Sequence, residues 1–437
     1  MRLKIHNFAK VKDANIIING ITVIAGENNT GKSTIGKVLY SVFNSLYNID
    51  SKIEEQREKE IRDIINRNTR ELYASMYSEN RISYISISQR FEEFLKEFLK
   101  ELLQIDKESL TIEVYKEIIL TKSSKYGIKI KKQELNNLIE ATYDNIITRK
   151  KNDNYKIALE LIQRFFMQTF CDQAQCLKFS ESTAEVSLKI KDRITEIKFK
   201  DNKCIEWSNN YNILHEAFFI DDPFVLDDAN YMMRFSQGII RRHLLQKIQK
   251  VDNDIMGGLF DAVSAKENLQ DIYNILNQVT KGNILFQNRQ WGLSSEQLKE
   301  NVNFENLSAG LKSFVLIKLL LEKGILKERD VLILDEPEIH LHPEWQLFYA
   351  EIIVLLQKKF ELSIIVTTHS SHFLEAIEYY SKKHNVEDKC EYYLASLEEG
   401  LATFENVTGS LNKIYKQMVT PSILLDRLKE KLDEEDE

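Results

Sequence analysis

The chain opens on alternation. From Arg2 to Phe8 polar and apolar residues roughly take turns, Ala14 to Ile18 is rich in isoleucine, and Ile21 to Ala25 is apolar apart from Thr22. A period of two predicts strands, and an unbroken apolar run predicts a strand buried on both faces. The pattern then changes: Lys32 to about Tyr47 reads as a helix, and Asp50 to about Gln175 is charged, helical and free of proline. Within that stretch FEEFLKEFLKELL, Phe91 to Leu103, places apolar residues at 91, 94, 95, 98, 99, 102 and 103. This is the stripe of a helix that packs through one face. It does not hold a heptad for long, so a short helical insertion is expected and not a coiled-coil arm.

VSLKI, TEIKF and CIEW, between Val186 and Trp207, read as a strand meander, and AFFI at 217–220 as a buried strand. A largely helical stretch from about Arg241 to Gln278 follows, with a break expected at Gly257 and Gly258. From Asn283 onward strand and helix alternate, which predicts a layered α/β domain. The closing LDEEDE, 432–437, reads as a solvated acidic tail, and no internal repeat is present. The expected division is an N-terminal lobe over 1–48, a helical insertion over 49–180 and a C-terminal lobe over 181–437.

Composition narrows the class. With 437 residues, 43% hydrophobic and 29% charged, the chain can bury a large core. Gly (14) and Pro (4) are scarce, which favours long helices over tight turns. There is no apolar run long enough for a membrane span, and the N-terminus lacks an apolar signal core, so a cytoplasmic protein is expected. The four cysteines match no zinc-finger spacing and read as reduced thiols. A net charge of -8 excludes a chain that coats nucleic acid over its whole surface but not a local basic track.

Two segments carry phosphate chemistry. GENNTGKST comprises Gly26, Glu27, Asn28, Asn29, Thr30, Gly31, Lys32, Ser33 and Thr34, and fits the pattern G-x-x-x-x-G-K-S/T between a buried strand and a helix. Gly26 and Gly31 let the backbone curl so that successive N–H groups point at phosphate oxygens, and the helix starting near Lys32 adds its positive end. Lys32 is expected to reach the β- and γ-phosphates of ATP, and Ser33 to bind Mg²⁺. VLILDE, Val331 to Glu336, supplies the second strand. Asp335 is expected to hold the magnesium and Glu336 to polarise the attacking water. His340 and His342 follow at once and raise the alternative of a metal centre. Zinc would need partners not evident in the sequence, so packing or hydrogen bonding beside the nucleotide is the preferred reading.

Two further stretches complete a set. NLSAGLKSF, Asn306 to Phe314, resembles the LSGGQ signature of ABC-type ATPases, and VTTHSSHFLE, Val366 to Glu375, resembles their switch-histidine segment. Together with DEPEIHLHPEWQ, whose Glu338, Leu341, His342 and Pro343 fit E-x-x-L-H-P, the chain resembles the RecF/SMC-like branch of ABC ATPases. Within that branch it is similar to the OLD-type and PtuA-type ATPases of the AAA family. The resemblance covers roughly 1–48 and 281–378, and implies an α/β P-loop NTPase head of ABC type with a mostly helical insertion.

The resemblance also implies a homodimer that sandwiches two ATP molecules. Lys32 of one subunit would face Ser308 and Gly310 of the other, and His369 would contact the γ-phosphate. The Q-loop glutamine of the family has no clear counterpart; Asp221 and Asp222 stand in about its place. OLD proteins carry a C-terminal Toprim nuclease, whereas only 68 residues follow His369 here, so any nuclease effector is expected to be a separate chain. DNA-related work such as anti-phage defence or repair is implied by analogy. The alternative of a transporter's nucleotide-binding subunit is disfavoured by the insertion and by E-x-x-L-H-P. GIIRRHLLQKIQK, Gly238 to Lys250, offers Arg241, Arg242, Lys247 and Lys250 on one helix, read either as a solvated face or as a phosphate-tracking one.

Overall fold

The computed structural model describes residues 1–69, 73, 84–176, 178, 182–209, 212–231, 238–249, 269–287, 290–295, 300–419 and 427–428. Gly257, Gly258, Lys250 and the acidic tail lie outside them. The chain divides into two compact units, one made of Met1–Tyr47 with Leu161–Glu437 and the other of Asn48–Glu160.

The smaller unit is helical. It contains α2 (Ile49–Asn68), α3 (Tyr84–Gln104), α4 (Ile112–Lys125), α5 (Lys132–Lys151) and the start of α6 (Asn154–Phe170). The apolar stripe of α3 forms its core: Phe94, Phe98, Leu99 and Leu102 are buried with Ile61, Ile65, Tyr115 and Leu135. The buried hydroxyl of Tyr115 meets that of Thr142 at 2.8 Å, so a phenol in an apolar setting keeps a hydrogen-bond partner. This unit ends at Glu160 and not at 180. Beyond that point α6 turns its apolar residues to the core of the larger unit, where Phe166 lies 4.8 Å from Phe199 and Phe170 4.9 Å from Phe8 between ring centroids. Composition alone does not reveal this change, because the helix itself runs on unbroken.

The larger unit is built on an eleven-stranded sheet in the order β6-β5-β4-β1-β2-β14-β13-β3-β12-β11-β7. The strands are β1 (Arg2–Phe8), β2 (Val11–Ile17), β3 (Ile21–Gly26), β4 (Ala184–Ile190), β5 (Arg193–Lys200), β6 (Lys203–Asn209), β7 (Ala217–Ile220), β11 (Val331–Asp335), β12 (Ser363–Thr368), β13 (Cys390–Glu398) and β14 (Leu401–Asn406). The expected meander is present, antiparallel, as β4, β5 and β6. One half of the sheet is a parallel block: β13, β3, β12, β11 and β7 all run the same way.

Burial explains the apolar runs. All six residues of β3 and the first four of β11 are buried, because these strands have cores on both faces. Val331 and Ile333 point to the core shared with α1 (Lys32–Leu46); Leu332 and Leu334 point to the opposite core with α9 (Ala309–Glu322) and α10 (Pro343–Phe360). Each such side chain stabilises the fold by about 1.5–3 kcal/mol relative to exposure. Between the meander and the signature lie α7 (Ile239–Gln249), α8 (Gln270–Thr280) and a separate three-stranded sheet, β8 (Gly282–Gln287), β9 (Gln290–Ser295) and β10 (Val302–Asn303). The strand–helix alternation expected beyond Asn283 therefore begins only after an antiparallel sheet. The helix that follows β12 is α11 (Ser371–Lys383). Among the described residues no helix is long and apolar enough to cross a membrane.

Candidate nucleotide site

Parallel neighbours finish at the same edge of a sheet, and that geometry assembles the site. The register pairs Ala25 with Thr368, Asp335 with Thr367, and Leu334 with Ile220. The phosphate loop after β3, His369 after β12, Asp335 and Glu336 at the end of β11, and Asp221 after β7 thus stand side by side. Ligands of open α/β sheets bind at such carboxyl ends.

The loop is shaped by close approach. A Cβ on Gly26 would sit 2.4 Å from the carbonyl oxygen of Ala395 in β13, and one on Gly31 would sit 2.8 Å from Cβ of Ala402. Gly31 also has φ +80°, a left-handed conformation that only glycine adopts without cost. It opens α1 without a side-chain cap, so the first-turn N–H groups receive no side-chain acceptor. Asn29, at φ 67°, takes the same region, which asparagine tolerates. Thr30 closes the loop by donating to the Glu27 carbonyl at 2.8 Å, and Lys10 donates to the Asn29 carbonyl at 2.9 Å. Glu27 and Asn28 are exposed, and Ser33 and Thr34 are half-buried in the first turn of α1. Gly26→Ala should force β3 and β13 apart at the phosphate end, costing about 1–3 kcal/mol of stability. Thermal melting with and without ATP and magnesium checks this: a lower midpoint and a smaller shift with nucleotide are expected, and unchanged midpoints would contradict the tight fit.

Lys32 is 4% exposed and its ammonium group is drawn back into the loop. It donates to the carbonyls of Gly26 at 3.0 Å and Glu27 at 2.8 Å and lies 3.4 Å from Oε1 of Glu336. The other oxygen of Glu336 lies 3.4 Å from Nδ1 of His369. One carboxylate thus stands between the loop lysine and the histidine. Glu336 reaches this place through a left-handed backbone, φ 51°, a conformation that costs a non-glycine residue about 1–2 kcal/mol. Its N–H is held by the carbonyl of Thr367 at 3.1 Å and the hydroxyl oxygen of Thr367 at 3.0 Å. That hydroxyl donates in turn to Asp335.

Asp221 and Asp222, the candidates for the missing glutamine, separate in role. Asp221 borders a small cavity of about 30 Å³ with Asp335 and Glu336, and burial, then the neighbouring charge of Asp222, pushes its carboxyl above the ordinary range. Asp222 is instead 3.4 Å from Arg241, which also holds Asp228 at 2.7 Å. The same pairing bears on the basic helix. Arg241 in α7 is tied to its own loop, and Lys247 pairs with Glu216, whose carboxyl is taken down to about 2 as bonds from His243 and Lys247 outweigh its burial. Arg241 and Lys247 are therefore engaged within the chain, and Lys250 lies outside the described residues.

The signature residues fall on α9. Ser308 is its exposed N-cap and accepts from the Leu311 amide at 3.4 Å. Gly310 is buried against the E-x-x-L-H-P turn: a Cβ there would lie 2.9 Å from the carbonyl oxygen of His340 and 3.3 Å from the ring of Trp345. The histidines of that turn have local tasks. His342 caps α10 by accepting from the Glu344 amide at 3.4 Å, and His340 packs its ring edgewise on Phe224 at 5.3 Å. Sequence reasoning missed the β13–β14 hairpin, which supplies the wall against Gly26 and Gly31. Its near-continuous apolar run, YYLASL, was the available signal.

The profile of the AAA ATPase domain family matches residues 1–374. The chain belongs to that family. Among curated proteins, the Septu protein PtuA of Bacillus thuringiensis is 25% identical over 206 residues, which is 41% of this chain. The chain spans 47% of the length of that relative in the match, about half. Among solved structures, the SMC head bound to the C-winged helix domain of ScpA aligns over 95% of this chain and 98% of its own, with 13% identity and a TM-score of 0.45. The SMC head domain from Thermotoga maritima aligns over 93% and 98%, with 10% identity and a TM-score of 0.38. The phosphate loop lies within the matched range, and its cradle has the shape and chemistry that nucleotide phosphates need. Glycines stand where a Cβ would fill the space, a buried ammonium group sits at the base, and Asp335 with Ser33 offers oxygen donors suited to Mg²⁺.

Proposed function

We propose that this protein is a cytoplasmic ATP-hydrolysing switch of ABC type, working as a homodimer with two ATP molecules held between the subunits. The observation that carries the reading is Glu336, placed 3.4 Å from Lys32 and 3.4 Å from His369 at the mouth of the phosphate loop. Lys32 is held beside Glu336 and two loop carbonyls. Phosphate oxygens are better partners for a lysine than backbone carbonyls, because both members of the pair are charged. As Lys32 turns to the β- and γ-phosphates it releases Glu336, whose carboxylate is then free to accept a proton from the attacking water. His369 lies on the other side of that carboxylate and would contact the γ-phosphate. Ser33 and Asp335 would hold magnesium, which when bound neutralises charge on the phosphate oxygens.

Gly26, Glu27, Asn28, Asn29, Thr30, Gly31 and Thr34 supply the cradle, and Ser308 and Gly310 of the partner would close it. Ser308 supports this part of the reading because it is exposed at the positive end of α9, where an anion is favoured. The switch would be read by a separate effector, such as a nuclease, in DNA-related work of which anti-phage defence is one form. The intramolecular pairing of Arg241 and Lys247 favours an effector as the reader over direct tracking of DNA by α7. Light-scattering mass of Glu336→Gln with ATP and magnesium tests the dimer. Twice the chain mass with two bound nucleotides is expected. A monomer with ATP bound would refute the sandwich.

A further inference from the structure

Glu338 lies two residues beyond Glu336 and has no part in the reading above. It is 3% exposed. Its Oε1 accepts from the hydroxyl of Thr368 and from the backbone N–H of His369 at 3.2 Å. The Thr368 hydroxyl oxygen accepts in turn from the Ser370 amide at 3.0 Å, so one carboxylate oxygen organises three consecutive residues where β12 ends. Oε1 also stands 3.9 Å from Nδ1 of His369. The other oxygen, Oε2, is buried without a hydrogen-bond partner among the described residues. Burial pushes this carboxyl above its ordinary range against the bonds it receives.

Burying an acid with half its acceptors idle is costly, and an apolar side chain would fill the space at lower cost. What an apolar side chain cannot supply is the double acceptance at Oε1. Its target is telling, because His369 is 43% exposed and sits in a loop. An exposed loop residue samples many geometries unless its backbone is tied down. The tie falls on the peptide that joins Thr368 to His369.

We propose that Glu338 is a positioning residue for His369. By accepting from the Thr368 hydroxyl and the His369 amide through one oxygen, it fixes the end of β12 so that the imidazole faces Glu336 and the mouth of the phosphate loop. The proposal rests on the ATPase reading for its effect on turnover, while the geometry it explains is independent of that reading.

E338A should lower kcat by about tenfold or more while leaving ATP affinity within about threefold of wild type, because the loss is one of alignment and not of phosphate contacts. E338Q keeps an acceptor oxygen at the same reach and should recover most of kcat. In a H369A background the residual turnover should fall by less than about twofold on adding E338A, since the residue it positions is gone. Equal losses in the two backgrounds, or E338Q no better than E338A, would overturn the proposal. Should E338A fail to fold, E338D, which withdraws the acceptor by one methylene, carries the same expectations. Wild-type turnover no higher than that of Lys32→Ala would instead sink the ATPase reading. The proposal is then decided by the His369 imidazole resonance in histidine-labelled protein, assigned through H369A. E338A should displace that resonance and E338Q should not; a resonance unmoved in E338A overturns the positioning role.

Discussion

Glu336→Gln is expected to bind ATP as the wild type does and to hydrolyse it at least about a hundredfold more slowly, within the range that a positioned general base contributes. The substitution is nearly isosteric. The left-handed backbone at this position and its two hydrogen bonds to Thr367 involve main-chain atoms that the amide leaves in place. Asp335, Ser33 and the loop glycines are likewise untouched, so the phosphate cradle and the donors for magnesium survive. What disappears is the charge placed between Lys32 and His369, and with it the atom able to take a proton from water. Single-turnover hydrolysis, together with equilibrium dialysis of ATP, separates the two quantities. Hydrolysis within a few-fold of wild type would move the catalytic base elsewhere.

Lys32→Ala should act on the other quantity. The ammonium group is buried, and its bonds to the Gly26 and Glu27 carbonyls show that it already lies inside the loop. Charge-assisted bonds to phosphate are worth about 1.5–3 kcal/mol each, so losing those to two phosphates should lower ATP affinity by a hundredfold or more. Glu336 would also be left beside His369 with no lysine to oppose it, adding repulsion for an incoming polyphosphate. Dialysis or fluorescent-nucleotide titration checks this, and affinity within threefold of wild type would remove Lys32 from the phosphate site.

What could be read from the chain and what could not differ in kind. Gly26, Gly31 and Lys32, and likewise Asp335 and Glu336, could be singled out because phosphate chemistry uses those residue types next to one another at the end of a strand, and because apolar runs such as VLIL announce strands buried on both faces; His369 is singled out only by the resemblance of its segment to the switch histidine. Parallel packing of β3, β12 and β11 then brings them together without further instruction. The wall behind Gly26 was not legible. It comes from Ala395 and depends on β13 pairing with a strand far away in the chain. Glu338 reads in sequence only as the first residue of E-x-x-L-H-P, and what it holds emerges from its burial beneath Thr368, beside exposed Ile339 and His340. The setting of the α7 charges was not legible for the same reason. Arg241 and Lys247 count as basic residues in sequence, but their partners Asp228, Asp222 and Glu216 come from segments that composition cannot place. Residues 161–170 belong to the larger unit because of what they touch, while their sequence reads as a continuation of the insertion.

The central claim is that each ATP is completed by the signature of a second subunit, and complementation between two inactive variants tests it most directly. Ser308→Arg places a bulky cation where the partner's γ-phosphate must dock, yet leaves its own phosphate loop intact; Lys32→Ala does the reverse. Each alone should be inactive. Loss of the N-cap at Ser308 costs about 1 kcal/mol, which a melting curve of the variant can account for. Mixed in equal amounts, the two should form heterodimers with one competent site, pairing Lys32 of the Ser308→Arg chain with Ser308 of the Lys32→Ala chain. The account predicts ATPase activity from the mixture at roughly a quarter of the wild-type rate per chain, given random pairing and independent sites. Heterodimers shown to form by tagged co-purification but hydrolysing no more ATP than either variant alone would contradict it.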